Sequence, residues 1–257
     1  MKDLNPKIDM NKTWHISRRE FLRHAGLLIT GTAIASSIPL SACRNNTEGT
    51  ETATTFQTET LSTDVIYSPD TLKENRIPPG QREVQACPIL HEGAIPQIDH
   101  SEWTFTISGL VENKNALTHS EFMALPTVKV FSDVHCVTGW TKLNNLWEGV
   151  SSREIADLAK VKSEAKFVIV KSDYRKYSAN MTLEDFLKED VLFAVKYDGL
   201  DLTTAHGAPA RLVVPRLYFW KSVKWVTGIE FTDRDRPGFW EVFGYNNHGD
   251  PWKEERY

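Results

Sequence analysis

Cysteine is scarce in this chain: 257 residues contain three, an odd and small number that cannot form a disulfide framework, so the fold has to rest on an apolar core. Long runs of one charge are missing as well. The formal net charge is −4 and the pI is near 6.1, which leaves no electrostatic footprint for a nucleic-acid partner. A few local Arg and Lys can still hold a small phosphate. The sequence contains no G-x-G-x-x-G, Walker loop, H-E-x-x-H or G-x-S-x-G, and so lacks the common nucleotide, zinc-protease and serine-hydrolase signatures. No internal repeat is visible. What is present, 40% apolar and 25% charged residues, is the composition of a soluble globular chain and excludes a multi-span membrane protein or wholesale disorder.

The first residues read as an address. Ser17-Arg18-Arg19-Glu20-Phe21-Leu22-Arg23 places two adjacent arginines before an apolar stretch diluted by Gly and Thr, too short and too weakly apolar to be a membrane span. This is the pattern of a twin-arginine export signal. Leu40-Ser41-Ala42-Cys43 resembles a lipoprotein cleavage box, which would make Cys43 a lipidated N-terminus; ordinary cleavage near Ala35 or Ala42 is the competing reading. Residues 44–76 are then expected as a flexible tether, with eight Thr between Thr47 and Thr63 and little to bury. Residues 77–257 are long enough for one folded domain.

Within that domain the period-2 alternation of Trp103, Phe105 and Ile107 predicts a half-buried strand. Capping signals at Thr118, Ser151 and Thr182 predict short helices. Strands are expected at residues 167–170, 191–197, 211–214 and 223–231, besides a β-rich run that starts at Val128. Short helices mixed irregularly with strands give an α+β fold of mixed sheets.

Two stretches carry chemistry. The first, a β-rich run, delivers His135-Cys136-Val137-Thr138-Gly139-Trp140, a thiol at a strand end. His135 and Cys136 are neighbours in an extended chain and face opposite ways, which makes them poor partners as base and nucleophile. Free cysteine is also among the most buried residue types, so a packed core thiol is the competing reading. The second stretch, from His206 to Lys224, offers Arg211, Lys221 and Lys224 as cations and Gly207 as a point of close backbone approach, a combination suited to a phosphate. Its alternative is a buried strand with snorkelling basic ends.

Together with the tail, Arg236-Pro237-Gly238-Phe239-Trp240 and Asp250-Pro251-Trp252-Lys253-Glu254-Glu255-Arg256-Tyr257, these segments resemble the sulfite-oxidase-fold molybdopterin-dependent oxidoreductases, over nearly all of residues 77–257. The resemblance is to the small bacterial "sulfite oxidase-like" branch, related to the periplasmic methionine-sulfoxide reductase catalytic subunit. It implies molybdenum and one molybdopterin, without nucleotide, as cofactors, with Cys136 as the thiolate ligand to the metal. Arg82, Glu83, His135, Ser172, Asp173, His206, Arg211, Phe219, Trp220 and Lys221 would contact the pterin. Tyr174 and Arg175, with Lys142, would meet a substrate. His206 stands where relatives often have Asn, and Phe219-Trp220-Lys221 where they commonly carry Gly-Phe-Lys. The activity implied is oxygen-atom transfer to or from a small S- or N-oxo compound. Val137-Thr138-Gly139-Trp140 lacks the arginine that anionic-substrate relatives place shortly after the cysteine. With no Cys-x-x-Cys-His haem motif, electrons are expected to pass to or from a separate partner, such as a membrane haem protein, near which a lipid anchor at Cys43 would concentrate the enzyme. Two other readings stay open: an envelope lipoprotein that keeps the fold only for binding, and a metal-free thiol enzyme pairing Cys87 with Cys136.

Overall fold

Residues 64–174 and 176–257 are described by a computed structural model. The expected signal, the Cys43 box and Arg175 lie outside the described residues. Two mixed β-sheets make up the structure. One holds β1 (Val65–Tyr67), β2 (Arg82–Glu83), β5 (Thr127–Cys136), β6 (Trp140–Ser151), β9 (Leu192–Tyr197), β10 (Leu200–Asp201) and β11 (Arg211–Val213), in the order β1-β5-β6-β9-β10, with β2 beside β6 and β11 beside β9. The other runs β4 (Asn115–Thr118), β3 (Thr104–Gly109), β12 (Gly228–Thr232), β7 (Phe167–Ser172), β8 (Tyr177–Thr182). Parallel pairs (β1–β5, β2–β6, β3–β12) coexist with antiparallel ones, as the α+β reading requires.

The short helices are α1 (His119–Met123), α2 (Ser152–Ala159), α3 (Leu183–Phe186) and α4 (Phe239–Val242). Thr118 and Glu121 close a full capping box on α1, and the Ser151 and Thr182 hydroxyls accept from Arg153 and Asp185 backbone N–H groups. Each such cap contributes about 1 kcal/mol, which matters for helices too short to persist alone.

Strand alternation divides the buried residues between two clusters. Phe193 and Val195 of β9 and Leu212 of β11 join Phe105, Phe122, Val170 and Phe231 between the sheets, while Leu192, Ala194 and Val213 point to the other face. That second face collects Val130, Val134, Cys136 and Trp140. Arg211 and Val213 flank Leu212, and period 2 therefore sends the guanidinium to the cysteine's side of the sheet.

Two boundaries differ from expectation. The segment from 65 to 76, expected within the tether, belongs to the folded unit: Val65–Tyr67 pairs with Lys129–Phe131, and Arg76 Nε and Nη2 bind both oxygens of the fully buried Asp133 at 2.9 and 2.6 Å. Its Thr-poor sequence hid a contact partner that only the third dimension supplies. The strand expected at 223–231 begins only at Gly228, because Trp225 takes a positive φ of 53° and Val223 and Val226 engage Leu212 and Ala210 instead of β12's neighbours.

Candidate functional site

Cys136 ends β5, and Trp140, its register partner, opens β6. The connection Val137-Thr138-Gly139 is a three-residue hairpin closed by the Gly139 N–H on Cys136 O at 2.9 Å, with Gly139 at φ 89°, the left-handed position such a loop requires. Thr138 Oγ1 donates to Cys136 Sγ at 3.2 Å. Gln81 Nε2 donates to Cys136 O at 3.1 Å, Arg82 N–H to Gly139 O at 3.1 Å, and Arg256 Nη1 to Val137 O at 2.6 Å. Burial pushes the Cys136 thiol up, against hydrogen bonds from the Thr138 hydroxyl and N–H. The hairpin is therefore clamped from three directions.

His135 faces the opposite way, as alternation demands. Its Nδ1 lies 2.9 Å from Thr141 Oγ1, and its Nε2 lies 3.4 Å from Asp70 Oδ2, an ion-pair approach without hydrogen-bond alignment. Burial works to raise the Asp70 carboxyl, yet His135, Lys73 and Trp252 outweigh it and hold the group at about 2. His135 thus ties the strand behind the cysteine to Thr141 and approaches Asp70.

On the cysteine's face Arg211 is 1% exposed. Its Nη1 and Nη2 donate to the His206 and Ser222 carbonyls at 3.0 and 3.2 Å, its Nε has no partner, and its guanidinium sits 4.3 Å over the Phe219 ring. Among the described residues no carboxylate lies within ion-pair distance of it. Lys224 is similar, giving its amine to Ala205 O at 2.7 Å. Burial and the neighbouring Arg211 push Lys224 down to about 7, and burial pushes Arg211 down to about 10. Burial, then Lys224 and Arg211, also lower His206. Gly207, at φ 116°, lets these chains meet: a Cβ there would stand 2.9 Å from Arg211 Cβ and 3.1 Å from Lys224 Cβ. A cation–π contact returns about 2 kcal/mol when desolvated, whereas burying an ion costs several, so the group is stable here only partly and gains from an anion.

Phe219 bridges the two parts, 4.3 Å beneath Arg211 and edge-on to Trp140 at a centroid distance of 6.0 Å. Cys87 packs against the same cluster as Cys136. Burial raises its thiol while the Arg211, Lys224 and Lys142 charges pull it down. Both cysteines are free thiols.

Not every expected residue converges. Lys221 is fully buried but turned away: its amine meets Glu241 Oε1 at 2.6 Å, Asn180 O and Oδ1 at 2.9 and 3.0 Å, and Asn247 O at 2.7 Å, so its protons are used within the protein. Trp220 Nε1 also binds Glu241, and the ring stacks on Tyr218. Arg82 and Glu83 are exposed, paired by backbone to Trp140 and Thr141, and the contact to the cysteine comes from their neighbour Gln81. Ser172 is buried at the end of β7 with an unpartnered Oγ, Asp173 donates its N–H to Thr227 Oγ1, and Tyr174 packs on the inter-sheet core beside the Asp173, Glu102 and Asp99 charges. Lys142 donates to Leu143 O. Gln81 was expected with Arg82 and Glu83 in one cofactor-contacting segment, whereas Thr138 and Arg256 were given no role of their own from sequence. Arg256 reaches Val137 across 119 residues, a pairing no local pattern reveals.

A buried thiol at the foot of a hairpin and uncompensated cations reached through Phe219, on mixed sheets with short helices, fit one class: the sulfite-oxidase-type molybdopterin-binding oxidoreductases. Residues 92–240 match the family described as "Oxidoreductase molybdopterin binding domain", and the chain belongs to it. It is 42% identical over 186 residues to the uncharacterized oxidoreductase YuiH of Bacillus subtilis, covering 72% of this chain and 93% of that one. It is 27% identical to the methionine-sulfoxide reductase catalytic subunit MsrP of Campylobacter jejuni, covering 90% of this chain and 78% of that one. The solved sulfane dehydrogenase SoxCD of Paracoccus pantotrophus shares the fold, with a TM-score of 0.52 at 24% identity over 56% of this chain and 41% of that one. The family implies a molybdenum cofactor, and the unpaired Arg211 Nε and the acid-free cation cluster fit the phosphate of such a group.

Proposed function

We propose that this chain catalyses oxygen-atom transfer to or from a small S- or N-oxo substrate, with Cys136 as the protein's thiolate ligand to molybdenum. The observation that carries the reading is buried Cys136 in one cluster with Trp140 and Phe219, and Arg211 over that Phe219 ring with Lys224 as its neighbour, cations that have no carboxylate partner among the described residues. When bound, the cofactor supplies two-electron redox chemistry at a metal already held by sulfur, for which a thiolate is a suitable soft ligand. The chain's own residues hold and shield it. Arg211 and Lys224 would neutralise the pterin phosphate with His206 beside them, and Phe219 and Trp140 would shield the group from water. The hairpin clamped by Gln81 and Arg256 fixes the direction of the Sγ.

The balance is substrate oxide plus two electrons and two protons giving the reduced substrate and water, or its reverse. The electrons are exchanged with a separate protein, in keeping with similarity to a protein named as a putative methionine-sulfoxide reductase subunit, YedZ1 of Azospira oryzae, 29% identical over 155 residues. Twin-arginine export and lipid attachment at Cys43, which would place the enzyme on the outer face of a membrane beside that partner, complete the proposal.

The test is molybdenum and pterin content of protein made in a cofactor-competent host, beside Cys136→Ser. Near-stoichiometric metal and pterin, with activity and the metal's thiolate signature lost in the variant, is the expected result. Absence of both from the unaltered protein overturns the reading and favours a binding lipoprotein.

A further inference from the structure

Thr138 occupies an unusual position for a polar residue at a hairpin tip. Its residue is exposed, yet its hydroxyl turns inward onto a buried sulfur: Oγ1 donates to Cys136 Sγ at 3.2 Å, and its backbone N–H donates to the same atom. The geometry is built in, because the loop has little freedom. Arg256 holds Val137 O at 2.6 Å before Thr138, and the Arg82 N–H holds Gly139 O at 3.1 Å after it. A hydroxyl fixed in this way serves no capping role and joins no other hydrogen bond described for it.

Resting on the reading of Cys136 as the metal ligand, we propose that Thr138 sets the reduction potential of the bound metal through this hydrogen bond. A donor on a ligating sulfur withdraws electron density from it, so the more electron-rich, reduced metal is favoured and the potential rises. Thr138 is a positioning and tuning residue that acts through Sγ. Because the residue is solvent-exposed, substitution there leaves the core intact.

The experiment uses the full-length holoenzyme and the variants Thr138→Val, which keeps the shape and removes the hydroxyl, and Thr138→Ser, which keeps the hydroxyl. Molybdenum and pterin are quantified in each, and the potential is titrated by the paramagnetic signal of the one-electron-reduced metal. Thr138→Val is expected to disfavour one-electron reduction about tenfold, a downward shift of about 59 mV for a one-electron couple, and to move the sulfur-to-metal charge-transfer band to longer wavelength. Thr138→Ser restores both. An unchanged potential in fully loaded Thr138→Val overturns the inference, as does an equal shift in Thr138→Ser, which would assign the effect to packing. Loss of metal from Thr138→Val alone, with Thr138→Ser loaded and unshifted, overturns it in favour of a role for the hydroxyl in metal retention. If the unaltered protein holds no metal, the reading of the site has failed, and this inference with it.

Discussion

Arg211 and Lys221 come from one short stretch of sequence, both end fully buried, and both look equally suited to a phosphate, yet their surroundings differ in kind. Lys221 is closed into an ion pair with Glu241 and three amide acceptors. Arg211 finds only carbonyls and an aromatic face, leaves its Nε unpaired, and has a second cation, Lys224, as its neighbour. A buried charge that the protein neutralises for itself belongs to the fold. One that it leaves unneutralised marks the place where a ligand completes the electrostatics.

Opposite responses to removing the charge give the largest test of this contrast. Lys221→Met strands Glu241 in the interior and should cost about 3–5 kcal/mol of stability in urea denaturation, most of it recovered when Glu241 is replaced by Leu as well. A neutral Lys221→Met would erase the distinction. Arg211→Met, by contrast, should leave the cofactor-free protein as stable as before or more so, while weakening pterin binding by about 1.5–3 kcal/mol, roughly 10- to 150-fold, read by pterin retained on dialysis. Retention should also weaken as pH rises through about 7 in the unaltered protein. Lys224 loses its proton there when unliganded, and binding an anion must then restore it.

The smallest effect lies far from the site. His248 joins the tail to α3, with Nδ1 2.8 Å from Glu255 Oε2 and Nε2 3.4 Å from Asp185 Oδ2, and the Asp185 contact foremost raises it to about 9. A raised histidine stabilises fully below its unfolded value of 6.5, and that contribution fades as pH climbs through about 9. His248→Gln should therefore flatten the stability profile between those limits, by under about 1 kcal/mol because the pair is solvent-screened. An unchanged slope would remove His248 from the list of compensated charges.

Much of this was legible in one dimension. Alternation at Trp103, Phe105 and Ile107, the capping signals at Thr118 and Thr182, and the strand that delivers Cys136 all rest on local periodicity, and each stands where expected. The opposed directions of His135 and Cys136 follow from period 2 as well. The joining of Arg76 to Asp133 was not legible, nor was the turn of Lys221 towards Glu241 or the reach of Arg256 to Val137. Each of these depends on which side chain arrives across a long loop of chain.

The sequence by itself determined several of the elements, the family and the thiol at the end of its strand, because propensity, alternation and motif spacing act between near neighbours. Only the tertiary structure decided which of these cations meet a carboxylate and which do not. Charge compensation works through distances of a few ångströms in space, and those are set by how the two sheets and the C-terminal tail pack together, not by separation along the chain.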